Sequence, residues 1–166
     1  MLSREEVLWL YMRRLGLTSG DLSGFAGRKV FQKCTYLLQQ KPFDRPFGFG
    51  FSLYLYGPYS PDLAAVGFEI LQHQTHFGDV TDRFVLTDAA EQNAATFERI
   101  FLERKPDPDF LELCATYHFL FSRSFAYLPQ TERKKCVVER LEALKPHLRS
   151  LIPNAEKVLG AAGMLM

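Results

Sequence analysis

The sequence predicts an α+β domain that is mainly α-helical, with a winged-helix-like N-terminal portion and a small sheet packed against C-terminal helices. Most of the chain carries apolar residues at helical spacing behind capping residues, which is typical of amphipathic helices. Only residues 47–55 alternate with the two-residue period of a strand. Because the length is that of one ordinary domain, we predict a single domain over 1–166, with a winged-helix-like part (1–105) and a helical part (106–166).

The first two predicted elements are helices. Ser3 and Glu6 have the spacing of a capping box, and apolar residues follow at helical intervals until Gly16. A second helix carries an apolar stripe across residues 30–38. Its solvent-facing side is predicted to hold Lys29, Gln32, Lys33 and Gln39.

The alternating stretch predicts a strand over residues 47–55 that turns at Gly57-Pro58 and leads into a capped helix. One strand face would carry the apolar residues Phe47, Phe49, Phe51, Leu53 and Leu55. Ser60 has the position of an N-cap, and Pro61 suits the first helical residue. Because Ser60 lacks the glycine-flanked elbow of a hydrolase nucleophile, we predict a capping role for it.

The remaining elements complete a helix-and-wing pattern and a helical C-terminal part. After the helix at 61–75, a turn at 77–79 and a short strand at 83–86 are typical of a winged helix. Four further helices are predicted to begin at capping residues: Asp88, Asp107, Thr131 and Asn154. The helix after Asp107 is apolar nearly all round and should be central, whereas the tail 160–166 should be frayed.

The composition excludes several classes of protein. Hydrophobic residues make up 47% of the chain and aromatic residues 14%, enough for a sizeable core. No apolar run is long enough to cross a bilayer and no signal peptide is evident, so a cytoplasmic location without membrane contact is expected. Cys34, Cys114 and Cys136 are widely spaced and few, which predicts free thiols. We predict neither a cofactor nor a metal.

Charge is distributed unevenly along the chain although the net charge is only +1. Residues 42–112 hold five Lys or Arg against twelve Asp or Glu, whereas residues 123–149 hold seven against three. This asymmetry indicates an oriented partner surface, with solvated helix faces as the alternative.

Two segments carry a resemblance to a known family. They are Arg28-Lys-Val-Phe-Gln-Lys-Cys-Thr-Tyr-Leu-Leu-Gln39 and the corner Tyr54-Leu-Tyr-Gly-Pro-Tyr-Ser-Pro-Asp-Leu63. Together, over about residues 5–105, the chain resembles the SocA-like, or Panacea, antitoxin-domain family and its uncharacterised bacterial relatives. The resemblance implies a mainly helical domain that acts by protein–protein contact. It also implies a toxin or a protease component as the partner.

Three tyrosines at the corner are the predicted partner-binding residues: Tyr54, Tyr56 and Tyr59. Tyrosine offers rigid contact area with a polar tip, although the three rings could instead brace the corner. We therefore predict a non-enzymatic interaction module of a bacterial cytosol, antitoxin-like, adaptor or regulatory. Its predicted partner is a protein, and self-association into a homo-oligomer is a further option.

The alternative is a winged-helix DNA-binding regulator that uses basic helix faces. The candidate residues for nucleic-acid contact are Arg28, Lys29, Lys33, Arg133, Lys134, Lys135 and Arg140. The helix at 61–75 is an unfavourable reading element because it carries Asp62 and Glu69 but neither Lys nor Arg.

Histidines supply the remaining candidates for chemistry. The side chains of His73, His76, Asp79 and Asp82 recur at intervals of three, but the helix should end near residue 74, so no metal site is predicted. His118 lies in the most apolar helix and is predicted to be a hydrogen-bonded core residue. No catalytic motif is present, so we do not expect an enzyme.

Overall fold

A computed structural model describes residues 1–103 and 107–166. In these ranges the chain forms eight α-helices and one two-stranded antiparallel sheet. The helices are α1 (Arg4–Arg14), α2 (Phe25–Leu38), α3 (Pro61–Gln72), α4 (Gln74–Arg83), α5 (Asp88–Phe101), α6 (Pro108–Phe119), α7 (Gln130–Leu144) and α8 (Ile152–Ala161). The strands are β1 (Ser52–Tyr54) and β2 (Gly57–Tyr59). The mainly helical prediction is confirmed, while the predicted boundary at residues 105 and 106 lies outside the described residues.

Helix α6 is the centre of the molecule, as its apolar sequence predicts. Every residue from Leu111 to His118 is buried, and the helix packs against α2, α8 and β2. The buried apolar side chains form one cluster that extends from Leu8 near the N-terminus to Leu165 near the C-terminus.

Several helix starts were predicted correctly because capping is a local interaction. Ser3 and Glu6 form the predicted capping box, the Ser60 hydroxyl accepts from the amide of Leu63, and Asp107 caps α6. Three other predicted caps are wrong by one to three residues. The residues preceding the helices are Thr87, Pro129 and Leu151 instead of Asp88, Thr131 and Asn154.

The long strand predicted over residues 47–55 is wrong, because only Ser52–Tyr54 pair in a sheet. Phe47, Phe49 and Phe51 do alternate into the core, as the pattern indicates. The backbone of Phe49 is satisfied by the Gln39 side-chain amide, which donates to its carbonyl and accepts from its N–H, both at 2.9 Å. This side chain takes the place of a neighbouring strand.

The predicted turn at Gly57-Pro58 is also wrong. These two residues belong to β2 and pair with Tyr54 and Leu53 of β1. The chain reverses one step earlier, at residues 55 and 56, and forms a two-residue hairpin. We refer to Leu53–Tyr56 as the hairpin tip.

Among residues 73–103 and 107–166 no strand follows helix α3, and residues 83–86 do not form the predicted wing strand. Residues 77–79, predicted to turn, lie within α4. Phe77 and Val80 of that helix are buried, and α4 packs against α1. The predicted strand at 83–86 is the end of α4 and an unpaired extended segment. The sheet therefore precedes α3.

The C-terminal tail is packed against the body, which corrects the prediction of a frayed end. Met164 and Leu165 are buried, and the Gln130 side chain donates to the carbonyl of Leu165 at 2.6 Å. Within the described ranges, none of the helices combines the length and the apolarity that crossing a membrane would require.

Candidate functional site

An open groove of about 660 Å³ lies between α2, α3 and the hairpin. Its volume falls within the range typical of ligand sites. Apolar residues form its floor and walls: Leu22 of a short 3-10 helix (Ser19–Ser23), Phe31 of α2, and Ala64, Gly67 and Leu71 of α3. Gly67 allows α3 to approach α2, since a Cβ at this position would lie 3.2 Å from the Phe31 ring.

Three exposed aromatic residues surround the mouth of the groove. Phe25, Tyr56 and Phe68 expose 52%, 47% and 62% of their surface and belong to α2, the hairpin and α3. The rings of Phe25 and Tyr56 meet edge to face, with centroids 4.9 Å apart. The mouth is therefore lined by large apolar side chains that the described residues leave exposed to solvent.

The predicted tyrosines are divided between the groove and the outer face of the hairpin. Tyr56 and Tyr59 line the groove. Tyr54 is outside it and packs edge to face on Tyr59, with ring centroids 5.2 Å apart. All four residues of the hairpin tip are exposed, so the tip presents large side chains to solvent next to the groove. Partner binding by these residues stays a prediction.

Three of the predicted basic residues line the same groove. Arg28 is exposed, whereas the Lys29 side chain is only 9% exposed and its ammonium lies 5.5 Å and 5.4 Å from the ring centres of Phe25 and Tyr56. Lys33 is buried, although the sequence places it on the solvent-facing side of α2. Among the described residues, those that line the groove include these three basic side chains and neither Asp nor Glu.

Lys33 and Lys145 hold the hairpin from beneath. The Lys33 ammonium donates to the carbonyl of Pro58 at 2.7 Å, and that of Lys145 donates to the carbonyl of Leu55 at 3.1 Å. Gln32 fixes the end of the hairpin, because its amide exchanges two hydrogen bonds of 2.9 Å with the backbone of Ser60. Gln32 and Lys33 are thus covered by the hairpin and α3 rather than by water.

Lys29, Lys33 and Lys145 form a lysine cluster, and Glu112 of α6 is its buried carboxylate. Its oxygens lie 3.4 Å from the ammonium of Lys145 and 3.8 Å from that of Lys29. The Lys145 contact is electrostatic, since Oε1 of Glu112 accepts no hydrogen bond from the described residues. Lys29 also pairs with the exposed Asp109 at 3.1 Å.

Burial is the largest influence on the titration of Lys33. Desolvation lowers its pKa to about 8, and the positive charges of Lys145 and Lys29 act in the same direction. The carboxylate of Glu112 opposes this shift. Lys33 is buried and its ammonium is already bonded to the carbonyl of Pro58, so it is not available to bind a phosphate backbone.

The four predicted basic residues of the C-terminal part lie on α7 and do not line the groove. Arg133 is engaged internally: its guanidinium donates to the carbonyls of Ala126 and Leu128 and packs over the ring of Phe121 at 4.8 Å. Lys135 and Arg140 are exposed and Lys134 is half-buried. The two predicted basic sets therefore do not form one surface at the groove.

The other candidates for chemistry have structural partners. Ser60 is buried and caps α3. The ring of His76 pairs with Glu6 at 2.8 Å, while His73 joins α3 to α4. Within residues 1–103 and 107–166, no three potential metal ligands among His, Cys, Asp and Glu are grouped.

His118 is hydrogen-bonded in the core, as predicted, with its Nδ1 2.8 Å from the hydroxyl of Tyr36. Burial, assisted by the charge of Arg123, lowers the pKa of His118 to about 4. Between this value and the ordinary value of about 6.5, the unfolded chain binds a proton that the folded chain does not. Stability contributed by the neutral ring is complete above about pH 6.5 and is lost as the pH falls towards 4.

We expect the free energy of unfolding to decrease by about 3 kcal/mol over this acid range through His118 alone. Urea unfolding between pH 7 and 4 measures it. The His118→Gln variant should show a flatter pH profile, whereas His147→Gln, at an exposed histidine, should keep the wild-type slope. Equal slopes in all three proteins would contradict the assignment.

The groove, the hairpin tip and the lysine cluster form one continuous arrangement, because the hairpin contributes to all three. Comparisons with protein-family models, curated proteins and solved structures find no match to this chain. Its function is accordingly inferred from the geometry of this arrangement.

Proposed function

We propose that this chain is a non-enzymatic protein–protein interaction module, an antitoxin-like, adaptor or regulatory protein of a bacterial cytosol. It binds its partner at the hairpin tip and the adjoining groove. The observation that carries this proposal is the run of four exposed apolar residues, Leu53–Tyr56, beside a groove with exposed aromatic residues at its mouth. Large apolar side chains exposed close together are typical of interaction sites.

The anchoring of the hairpin supports this proposal. A two-stranded hairpin alone is at best marginally stable in water. Here Lys33, Lys145 and Gln32 fix its backbone from the protein interior. A surface that is already ordered loses little conformational entropy on association, so its apolar contacts contribute more fully to affinity.

The aromatic residues at the groove mouth are expected to dominate the binding energy. Aromatic side chains buried at the centre of an interface are common anchors of binding energy. We expect Tyr56→Ser and Phe68→Ser each to weaken partner binding by at least about tenfold. Affinity purification of the full chain from its native cells, followed by titration of the recovered partner, measures this effect.

Matched control variants distinguish binding at the groove from an effect of any exposed aromatic residue. Tyr127 and Phe84 are exposed at 78% and 46% but do not line the groove. Tyr127→Ser and Phe84→Ser should therefore retain the partner. The proposal fails if all four variants bind equally, or if the protein retains no partner and instead turns over a substrate.

The rival function is a DNA-binding regulator that uses basic helix faces without the predicted wing. The exposed Lys135 and Arg140 of α7, with the half-buried Lys134, are the observation that favours it. Phosphate contacts would make binding weaken steeply with salt. Salt-dependent mobility shifts that are lost on replacing these three residues by alanine, with binding unchanged in Tyr56→Ser, would favour the rival.

A further inference from the structure

The charges around the groove are unbalanced. Lys29, Lys33 and Lys145 are close to one another beneath and beside the hairpin, and Arg28 lies at the groove surface. Their carboxylate partners among the described residues are Glu112, which is buried, and Asp109, which is exposed. The groove side of this cluster therefore carries excess positive charge in a largely apolar setting, where charge interactions are strengthened.

Arg28 lines the groove and has unused hydrogen-bonding capacity among the described residues. Its guanidinium makes one hydrogen bond within the described residues, to the carbonyl of Ser23 at 3.0 Å. A guanidinium carries five N–H donors in a fork that matches a carboxylate. An incoming carboxylate at this position would find both a donor fork and a compensating positive potential.

We propose that the groove receives an acidic, apolar peptide segment of the protein partner. Apolar side chains of this segment fill the floor formed by Phe31, Ala64 and Leu71, and a carboxylate pairs with Arg28 at the rim. This inference rests on the proposed function and names the chemistry of the partner. A peptide is favoured because the groove continues onto the exposed hairpin tip, so that an occupant can extend from one to the other.

Selection from a phage-displayed library of random peptides of about 12 residues tests this proposal on the immobilised full chain. We expect the enriched peptides to combine Leu, Phe or Trp with Asp or Glu. Ala64→Trp fills the groove from α3 and should abolish the enrichment. Ala95→Trp, at an exposed alanine of α5 outside the groove lining, should not.

The charge component is tested with a synthetic copy of the most enriched peptide, acetylated and amidated at its ends. Replacing its acidic residues by their amides should weaken binding to the wild-type protein by at least about tenfold in fluorescence anisotropy. Arg28→Glu should lose this preference for the acidic peptide. Arg149→Glu, at an exposed arginine outside the groove lining, should retain it.

The possible results separate this inference from the proposed function. Enriched peptides without acidic residues, enrichment that persists in Ala64→Trp, or no enrichment at all would overturn the inference. If the native partner is lost in Tyr56→Ser but bound equally by Arg28→Glu and wild type, the proposed function stands and the acidic segment does not. Circular dichroism melting curves establish that each variant is folded.

Discussion

Replacing Glu112 by Gln is expected to lower the free energy of unfolding by about 3–5 kcal/mol, because it removes the buried carboxylate of the lysine cluster. Glu and Gln side chains have nearly the same volume. The loss of stability therefore measures the removed charge and not a change in packing. Lys29 and Lys145 are nearly buried, and both lie within 4 Å of this carboxylate. Chemical unfolding at pH 7 measures the change.

Asp109 provides the matched control for this loss. Its carboxylate pairs with the same Lys29, but its side chain is 57% exposed. Surface ion pairs contribute little, so Asp109→Asn should cost less than about 1 kcal/mol. Equal effects of the two substitutions would contradict a role for burial.

The pH dependence of the free energy of unfolding tests the charge interactions of the same lysine cluster in a second way. Because the folded pKa of Lys33 is about 8 and its unfolded value is about 10.5, stability rises with pH between these values. Without Glu112 this rise should begin at lower pH, since the carboxylate is the group that raises the pKa of Lys33. Adding Lys33→Met should reduce the loss caused by Glu112→Gln, because one uncompensated charge is removed.

Local sequence signals predicted those parts of the fold that depend on neighbouring residues. The caps at Ser3, Ser60 and Asp107 were found because a side chain and an amide two or three residues later decide them. The extent of the strand near Phe49 could not be found in this way. Gln39, ten residues earlier in the chain, satisfies the backbone of Phe49, and no local pattern contains that contact.

The candidate site was predicted in part. The tyrosines of the corner and the basic residues of α2 were identified separately, and the structure brings Tyr56, Tyr59 and Arg28 to one groove. Phe68 was missed although its spacing from Leu63, Val66 and Ile70, the residues that α3 buries, places it on another face of that helix. Lys145 was missed because its contact with the hairpin spans 90 residues of sequence.

Replacing Gly57 by Ala is expected to lower the free energy of unfolding by about 2–5 kcal/mol, from backbone strain and overpacking together. Gly57 begins β2 with a φ of +93°, a conformation that is unfavourable for residues with a Cβ. An added Cβ would also lie 2.5 Å from Oγ1 of Thr116. That hydroxyl is fully buried and donates to the carbonyl of Glu112 at 2.7 Å, so it cannot move aside freely.

Two further variants separate these contributions. Gly16 has a similar φ of +97° but no atom within 4 Å of an added Cβ, so Gly16→Ala should show the conformational cost alone, about 1–2 kcal/mol. In the Gly57→Ala background, Thr116→Ala should recover part of the loss because it removes the clashing oxygen. Since the hairpin tip follows the position of β2, Gly57→Ala should also weaken partner binding, whereas Gly16→Ala should leave it unchanged. Equal losses of stability and of binding in the two glycine variants would show that close packing of β2 on α6 does not position the tip.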